Sequence, residues 1–307
     1  MPATGKEQLR ARLQAVALVR RSAVEFFQDE GFLELNPVML GMSTDPLGPD
    51  PGSSVVKTAE IPYQGQDLYL MNSMILHKQV AITRLGTPIF IMSPNVRLER
   101  PERQASGRHL FEFTQVDFEI PKGKTQDVKD VMHGYFGHLQ KATDEHPELF
   151  TLLGIEPPKF NTPFPAHKTH DLEQTYAAQW SETELMASRA SPQPFWAECH
   201  KREFYDKEDT EHPGHYLNYD LIYDGGFGEG LSGAERESEP SRIKQRVSKD
   251  ALKKKAFAAY LRLAEEGFTP SAGAGFGVER LARRITQAPH VRDVQLFPRV
   301  PGETVEI

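Results

Sequence analysis

Apolar residues recur at helical spacing between residues 6 and 30, where Leu9, Leu13, Val16, Ala17, Ala23, Val24 and Phe27 fall on one side. Gly31 is placed to end that helix. The next stretch, "FLELNPVML", changes to an extended pattern broken by Pro37. Residues 43–54 hold three prolines, three serines and two glycines, which predicts a long loop of the functional kind. "LYLMNSMILHKQVAI" passes from strand to helix near Ser73. "PIFIMSPNVRLE" and "FEFTQVDFEI" read as strands joined by the polar "RPERQASGRH". Thr125 is placed to cap a helix whose Val128, Val131, Met132, Tyr135 and Leu139 share a face.

Farther on, residues 155–200 give no clean period. "LNYDLIYDGGFGEGLSGAERE" predicts two strands around a glycine-rich turn. A further amphipathic helix is expected over 249–266, with Gly267 as its stop. "SAGAGFGVERLARRI" reads as a buried strand of small residues feeding a helix. No repeat and no linker divides the chain, so one mixed α+β domain is expected.

Composition narrows the class without changing that picture. The 307 residues can bury an ample core, and 38% hydrophobic with 26% charged residues is ordinary for a globular protein. The net charge of −7 argues against a dedicated nucleic-acid surface. A single cysteine, Cys199, excludes an intramolecular disulfide and a cysteine-based zinc site. The charged start "MPATGKEQLRARLQ" is unlike a secretory signal, and no run reaches the ~18 apolar residues of a membrane span. A cytoplasmic protein is the expectation.

Four stretches carry candidate chemistry. In "NVRLE…GRHLFEFTQVDFE", Arg97 and Glu99 lie two apart and face one side of a strand. A cation beside a carboxylate can bind a phosphate and an exocyclic amine. It can equally be a wet ion pair contributing about 0–1 kcal/mol. Arg108 and His109 then precede a strand with Glu112, Asp117 and Glu119, charges that serve an amine or a metal, or sit idly in solvent. In "GAGFGVERLARR", glycines 273, 275 and 277 leave room for close approach of a ligand or of packed backbone, and Arg280 follows. The spacing fits neither a Walker A loop nor a dinucleotide fingerprint. "GEGLSGAERE" brings Glu229, Ser232 and Arg236 together, an oxygen set suited to Mg²⁺ and a fork suited to a carboxylate, or else a solvated turn. Lys78 in "SMILHKQ" points into a pocket or out to water. The 11 histidines show no metal-ligand spacing; His133 and His138 fall on different helix faces.

Taken in order, these stretches resemble the three signature motifs of class II aminoacyl-tRNA synthetases. "RRSAVEFFQDEGFLELNPVML" resembles motif 1, "VRLERPERQASGRHLFEFTQVDFE" motif 2 and "GAGFGVERL" motif 3. "RHLFEFTQVDFE", "REFYDKED…NYDLI" and "RDVQLFPR" are similar to the aspartyl and asparaginyl branch, over residues 8 to 300. The resemblance implies an antiparallel sheet flanked by helices, a homodimer built through motif 1, and ATP with Mg²⁺. It implies that Arg97 holds the α-phosphate and Glu99 reads the adenine amine. Arg108 and His109 would meet the outer phosphates, and Phe113 would stack on adenine. Arg280 would clamp the γ-phosphate and the base. Glu229 and Ser232 would serve Mg²⁺ and phosphate oxygens, with Asp220 as a second metal ligand. Arg236 and Lys78 match the two cations that recognise aspartate's carboxylate.

Three departures stand out, and the last two touch amine recognition. Aspartyl-tRNA synthetases carry an anticodon-binding barrel before motif 1, for which residues 1–8 leave no room, so tRNA is not an expected partner. "TDPLGPDPGSS" replaces the family's glutamate-containing lid, and Ile75 stands where the family has glutamine. "TDPLGPDP", "SMILHKQ" and "GAGFGVER" resemble the archaeal-type asparagine synthetases, paralogues of aspartyl-tRNA synthetase without the barrel. That implies activation of aspartate by ATP and attack by free ammonia, with Asp45 and Asp50 as candidate contacts for the substrate ammonium. The alternatives are another amine acceptor and a truncated tRNA synthetase.

Overall fold

The computed structural model describes residues 4–45, 55–200, 205–249 and 254–305. An eight-stranded sheet organises them. From one edge to the other it runs β1 (Leu33–Glu34), β6 (Ile89–Val96), β8 (Glu112–Pro121), β13 (Ser271–Gly277), β12 (Gly228–Glu235), β11 (Asn218–Tyr223), β10 (Phe195–Glu198) and β9 (Ala166–Lys168). All neighbours pair antiparallel except the two edges, where β1 with β6 and β9 with β10 are parallel. Two small sheets accompany it. One contains β2 (Leu40–Gly41), β5 (Gln66–Leu70) and β4 (Glu60–Tyr63); the other pairs β3 (Val55–Lys57) with β7 (Leu98–Glu99).

The sheet has two unlike faces because strand side chains alternate. Phe90, Val116, Phe118, Ala274, Phe276, Leu231, Tyr219 and Leu221 face α1 (Gly5–Asp29) and α3 (Thr125–Asp144) and close the main core. On the other face the register aligns Asp117, Gly275, Ser232 and Asp220 across four strands. That polar row is partly roofed by α2 (Ile75–Leu85), α7 (Pro240–Lys249) and α8 (Lys254–Glu266), whose Ile75, Leu76, Ile243, Val247, Phe257 and Tyr260 form a second core. The α+β class and the flanked antiparallel sheet agree with expectation.

Local deviations have physical causes. The fully buried stripe of α1 is Ala11, Ala15, Leu18, Val19, Ser22, Ala23, Phe26 and Phe27. Small residues permit the closest approach there, so the stripe is rotated from the predicted one and Ala17 is exposed. Lys124, not Thr125, occupies the N-cap of α3: Asp127 accepts from the Lys124 amide at 2.8 Å, while Thr125 donates to Glu235. The helix expected over 249–266 is observed as Lys254–Glu266, preceded by the unforeseen Pro240–Lys249, and Gly267 at φ +105° follows it as its stop. The unreadable 155–200 stretch supplies α5 (Thr169–Tyr176), α6 (Trp180–Ala190) and the two strands of one sheet edge; α4 (Pro147–Leu153) packs on α1 through Leu18, Leu149 and Phe150. Among the described residues, no helix is long and apolar enough to cross a membrane.

Candidate active site

The open part of the polar face is a cleft that opens to solvent. Arg97, Glu99, Arg108, His109, Phe113, Glu229 and Arg280 line it together, although they come from positions nearly two hundred residues apart. Ser232 is not among its lining residues and lies deeper, opposite Asp220. Gln115 and Glu279, which the sequence reading did not single out, complete the wall.

Arg97 directly follows the long strand β6 and is fixed twice. Its Nε donates to the Asn72 carbonyl at 2.9 Å, and its guanidinium lies 5.1 Å from the Phe113 ring centre. Arg280, on the first turn of α9 (Val278–Ile285), donates from Nη1 to the Glu229 carbonyl and carboxylate at 3.0 and 3.2 Å. Its Nε donates to the Arg108 carbonyl at 3.2 Å, which ties motif 3 to the loop of motif 2. Arg108 forms a two-point pair with Glu184 of α6. Glu184 also accepts from the Glu229 amide at 2.8 Å, so it links three segments and went unforeseen in the unreadable stretch.

The cleft is cationic enough to control His109. Burial first, and then the guanidinium groups of Arg280, Arg108, Arg103 and Arg97, push its pKa far below the ordinary histidine value. Burial likewise lowers Arg280, with Arg108 and Arg97 adding to the effect and Glu229 opposing it. Glu279 is raised by burial although it accepts from the Thr114 amide and the Gln295 side chain.

Deeper in the same face lies a buried ion cluster. Lys78 Nζ is 3.0 Å from Asp117 Oδ1 and 3.6 Å from Glu119 Oε2, and it donates to the Ala274 and Phe118 carbonyls. Arg236 sets Nε and Nη2 against the two oxygens of Glu119 at 2.9 and 3.2 Å, while Nη1 lies 3.6 Å from Asp206. Lys78 and Arg236 are therefore brought together, and both already face carboxylates of the protein. Asp117 Oδ2 is buried without a hydrogen-bond partner, an arrangement costly unless a donor arrives. The glycines of β13 make room for this cluster. A Cβ at Gly273 would lie 2.1 Å from Glu119 Oε2, and one at Gly275 would lie 2.7 Å from Asp117 Oδ1. Gly277, where a Cβ would meet only Arg280 atoms at 3.5 Å or more, lines the cleft together with Gly275.

Asp45 is buried. Its Oδ2 accepts from the Tyr205 hydroxyl at 2.8 Å, and the Tyr205 ring lies 5.8 Å from the Arg236 guanidinium carbon. Asp50 lies outside the described residues. Asp220 Oδ2 sits 3.2 Å from His200 Nε2, and Glu229 is paired with Arg280. With Ser232 they still form an all-oxygen set on one face, which fits Mg²⁺ held by one or two carboxylates and completed by substrate oxygens.

Comparison with known proteins agrees with this geometry. The family model of class II tRNA synthetases (D, K and N) matches residues 3–301, and the chain belongs to that family. It is an ATP-utilising class II domain of the D, K and N group. Asparaginyl-tRNA synthetase from Pyrococcus horikoshii complexed with asparaginyl-adenylate superposes with a TM-score of 0.80 at 24% identity, covering 97% of this chain and 70% of that one. Asparaginyl-tRNA synthetase from Entamoeba histolytica in complex with asparaginyl-adenylate gives 0.82 at 19%, covering 95% and 67%. A putative aspartyl-tRNA synthetase from Leishmania major Friedlin gives 0.81 at 19%, covering 97% and 66%.

Proposed function

We propose that this protein is an AMP-forming aspartate–ammonia ligase, an asparagine synthetase. The observation that carries the reading is the buried set of Lys78, Arg236 and the unpartnered Asp117 oxygen beside a cationic cleft. A small molecule bearing a carboxylate and an ammonium matches cations and a carboxylate oxygen so arranged. Asp45, held beside Arg236 through Tyr205, offers the ammonium a second anionic neighbour at the site where the family's lid differs. Ile75, buried at the head of α2, removes an amide contact for the ordinary orientation. Together these features favour aspartate turned end for end, with its β-carboxylate toward ATP.

In the proposed reaction a β-carboxylate oxygen attacks the α-phosphorus and pyrophosphate leaves. Ammonia then attacks the acyl carbon, AMP departs with the bonding pair, and the surplus proton passes to solvent. Arg97 holds the α-phosphate, and Arg280, Arg108 and His109 hold the outer phosphates. Phe113 and Glu99 receive the adenine. Glu229, Ser232 and Asp220 would hold Mg²⁺, which supplies charge neutralisation on the phosphates. Positioning and electrostatics supply the rate, with no covalent enzyme intermediate. The described residues act as one catalytic unit, paired as a homodimer through residues 9–40.

The test is product analysis after incubation with ATP, aspartate and ammonium, with mass identification of asparagine. Hydroxylamine in place of ammonium should trap the β-hydroxamate; the α-hydroxamate would mean the ordinary orientation. A second reading, α-carboxylate activation followed by tRNA charging, is favoured by the similarity to asparaginyl-tRNA synthetases bound to asparaginyl-adenylate. Labelled aspartate precipitated by acid on tRNA, with no free asparagine, would establish it instead. A larger acceptor amine would appear as a heavier amide.

A further inference from the structure

Glu184 stands behind the cleft: it is buried on α6 and is not among the lining residues. One turn along the same helix, Ser188 Oγ donates to the Tyr223 carbonyl at 2.6 Å and accepts from the Gly228 amide at 3.1 Å. Residues four apart share a helix face. So α6 holds the β11–β12 turn at two consecutive amides, Gly228 through Ser188 and Glu229 through Glu184. Gly228 is part of the fit. Its φ of +74° favours glycine, and a Cβ there would run into Arg108 and lie 2.9 Å from Glu184 Oε1.

The contacts close a ring. The Glu184 carboxylate takes both terminal nitrogens of Arg108. The Arg108 carbonyl accepts from Arg280 Nε at 3.2 Å, Arg280 donates to Glu229, and the Glu229 amide returns to Glu184 at 2.8 Å. Every member except Glu184 lines the cleft. Burial opposes the charge on Arg108, but Glu184 chiefly, with Glu229 and Asp220, holds its pKa above the ordinary arginine value. A guanidinium has five N–H donors, and the pair with Glu184 uses two of them, leaving three that an anion can take.

We propose that Glu184 is a positioning residue of the nucleotide site: it fixes Arg108 toward the outer phosphates of ATP and keeps Glu229 in step with it. The proposal rests on the reading of the cleft as an ATP site and is independent of the acceptor amine. Without the carboxylate, repulsion from Arg280 would drive Arg108 away, and a triphosphate would have to restrain that long side chain on binding. A selectivity follows. AMP has no outer phosphates and is blind to Glu184, whereas ATP depends on it.

The test measures ATP and AMP binding to the full chain by calorimetry with Mg²⁺ present. E184Q keeps an oxygen for the Glu229 amide and loses the charge. We expect it to lower the preference for ATP over AMP by about tenfold or more, the loss of a charge-assisted contact. AMP affinity should stay within about twofold of the parent, as for an independent site. R108Q should show the same selective loss, and E184Q/R108Q no more than R108Q alone, because the carboxylate acts through that cation. A Glu184 that only supports the fold would weaken both nucleotides, or add its loss to that of R108Q, and either result overturns the proposal. If E184Q is too unstable to measure, E184D, whose charge is kept but drawn back, must show the same selective loss. A parent that binds neither nucleotide overturns the ATP reading and the proposal together. A parent that prefers ATP, with E184Q preferring it equally, overturns the proposal alone.

Discussion

Glu119 and Arg236 face each other as a two-point ion pair, with Nε at 2.9 Å and Nη2 at 3.2 Å from the carboxylate oxygens, both side chains buried. The cation assigned to a substrate carboxylate thus keeps only its Nη1 edge for that purpose, and Asp206 lies 3.6 Å from Nη1. Removing one partner of such a pair leaves a buried charge uncompensated, at a cost of about 3–5 kcal/mol. We expect E119Q to lower the melting midpoint steeply and R236K to lose aspartate-dependent ATP–pyrophosphate exchange while still binding ATP. An R236K enzyme with an unchanged aspartate KM would remove Arg236 from substrate recognition.

Asp117 tests the ammonium contact. One of its oxygens is engaged by Lys78 and the other has no partner. D117N keeps the shape but removes the charge that an ammonium needs. Aspartate-dependent exchange should fall at least a hundredfold, with nucleotide affinity within about twofold of the parent, since charge-assisted hydrogen bonds contribute about 1.5–3 kcal/mol each. D45N should raise the aspartate KM by roughly tenfold or less, because one Asp45 oxygen is already engaged by the Tyr205 hydroxyl and Asp117 remains. Equal effects of the two substitutions would contradict this ranking.

The glycines of β13 should differ sharply when replaced by alanine. At Gly273 the new methyl meets the Phe118 carbonyl at 2.3 Å as well as Glu119, so backbone has to move. At Gly275 it meets mainly the Asp117 carboxylate, and at Gly277 only the side chain of Arg280. Thermal midpoints should therefore fall in the order G277A, G275A, G273A, with G273A the least stable, and G275A should lose aspartate affinity before it loses the fold. A G273A protein as stable as the parent would mean the strands have more freedom than their register implies.

Exposed apolar residues test the assembly. Leu33, Met39, Leu40 and Met42 reach solvent in one short segment of the chain, next to the helix expected to form the dimer interface. Sedimentation should give a dimer at micromolar concentration and a monomer for L40E/M42E. A monomeric parent protein would count against the interface.

The sequence made the cleft legible because its residues sit in short motifs with local spacing rules. Arg97 with Glu99, Arg108 with His109, and Glu229 do meet with Arg280 around one cavity. The ion cluster beneath was legible only in part. Asp117 and Glu119 alternate with the apolar Val116, Phe118 and Ile120, which signals carboxylates on a polar sheet face in need of cations. Glycines 273 and 275 repeat the same two-residue period on the neighbouring strand, a signal of side chains filling that space. Glu184 left no trace, since its contact with Arg108 depends on how a 76-residue excursion returns α6 to the loop.

Protonation of His109 links nucleotide binding to pH. The Ser106 hydroxyl donates to the Arg103 carbonyl at 2.7 Å and lies 2.5 Å from His109 Nδ1. The tautomer that satisfies both contacts carries its proton on Nδ1 and leaves Nε2 as an acceptor. Burial and the surrounding arginines keep the ring neutral in the free protein, whereas a triphosphate bound as proposed would reverse the local charge. ATP binding should therefore be accompanied by net proton uptake near pH 6.5, read from calorimetry in buffers of different ionisation heat, and H109Q should diminish that uptake. Stability carries the same sign. The unfolded chain protonates His109 near its ordinary value of 6.5, and the folded chain resists, so acidification draws the equilibrium toward unfolding. His77, His133 and His290 are also lowered by burial and act in the same direction. Stability present above pH 6.5 should decline as pH falls below it, by up to about 1.4 kcal/mol per pH unit for His109. In H109Q that decline should be shallower by roughly one proton. An equal slope in the two proteins, or proton release on ATP binding, would contradict a neutral His109 in the free cleft.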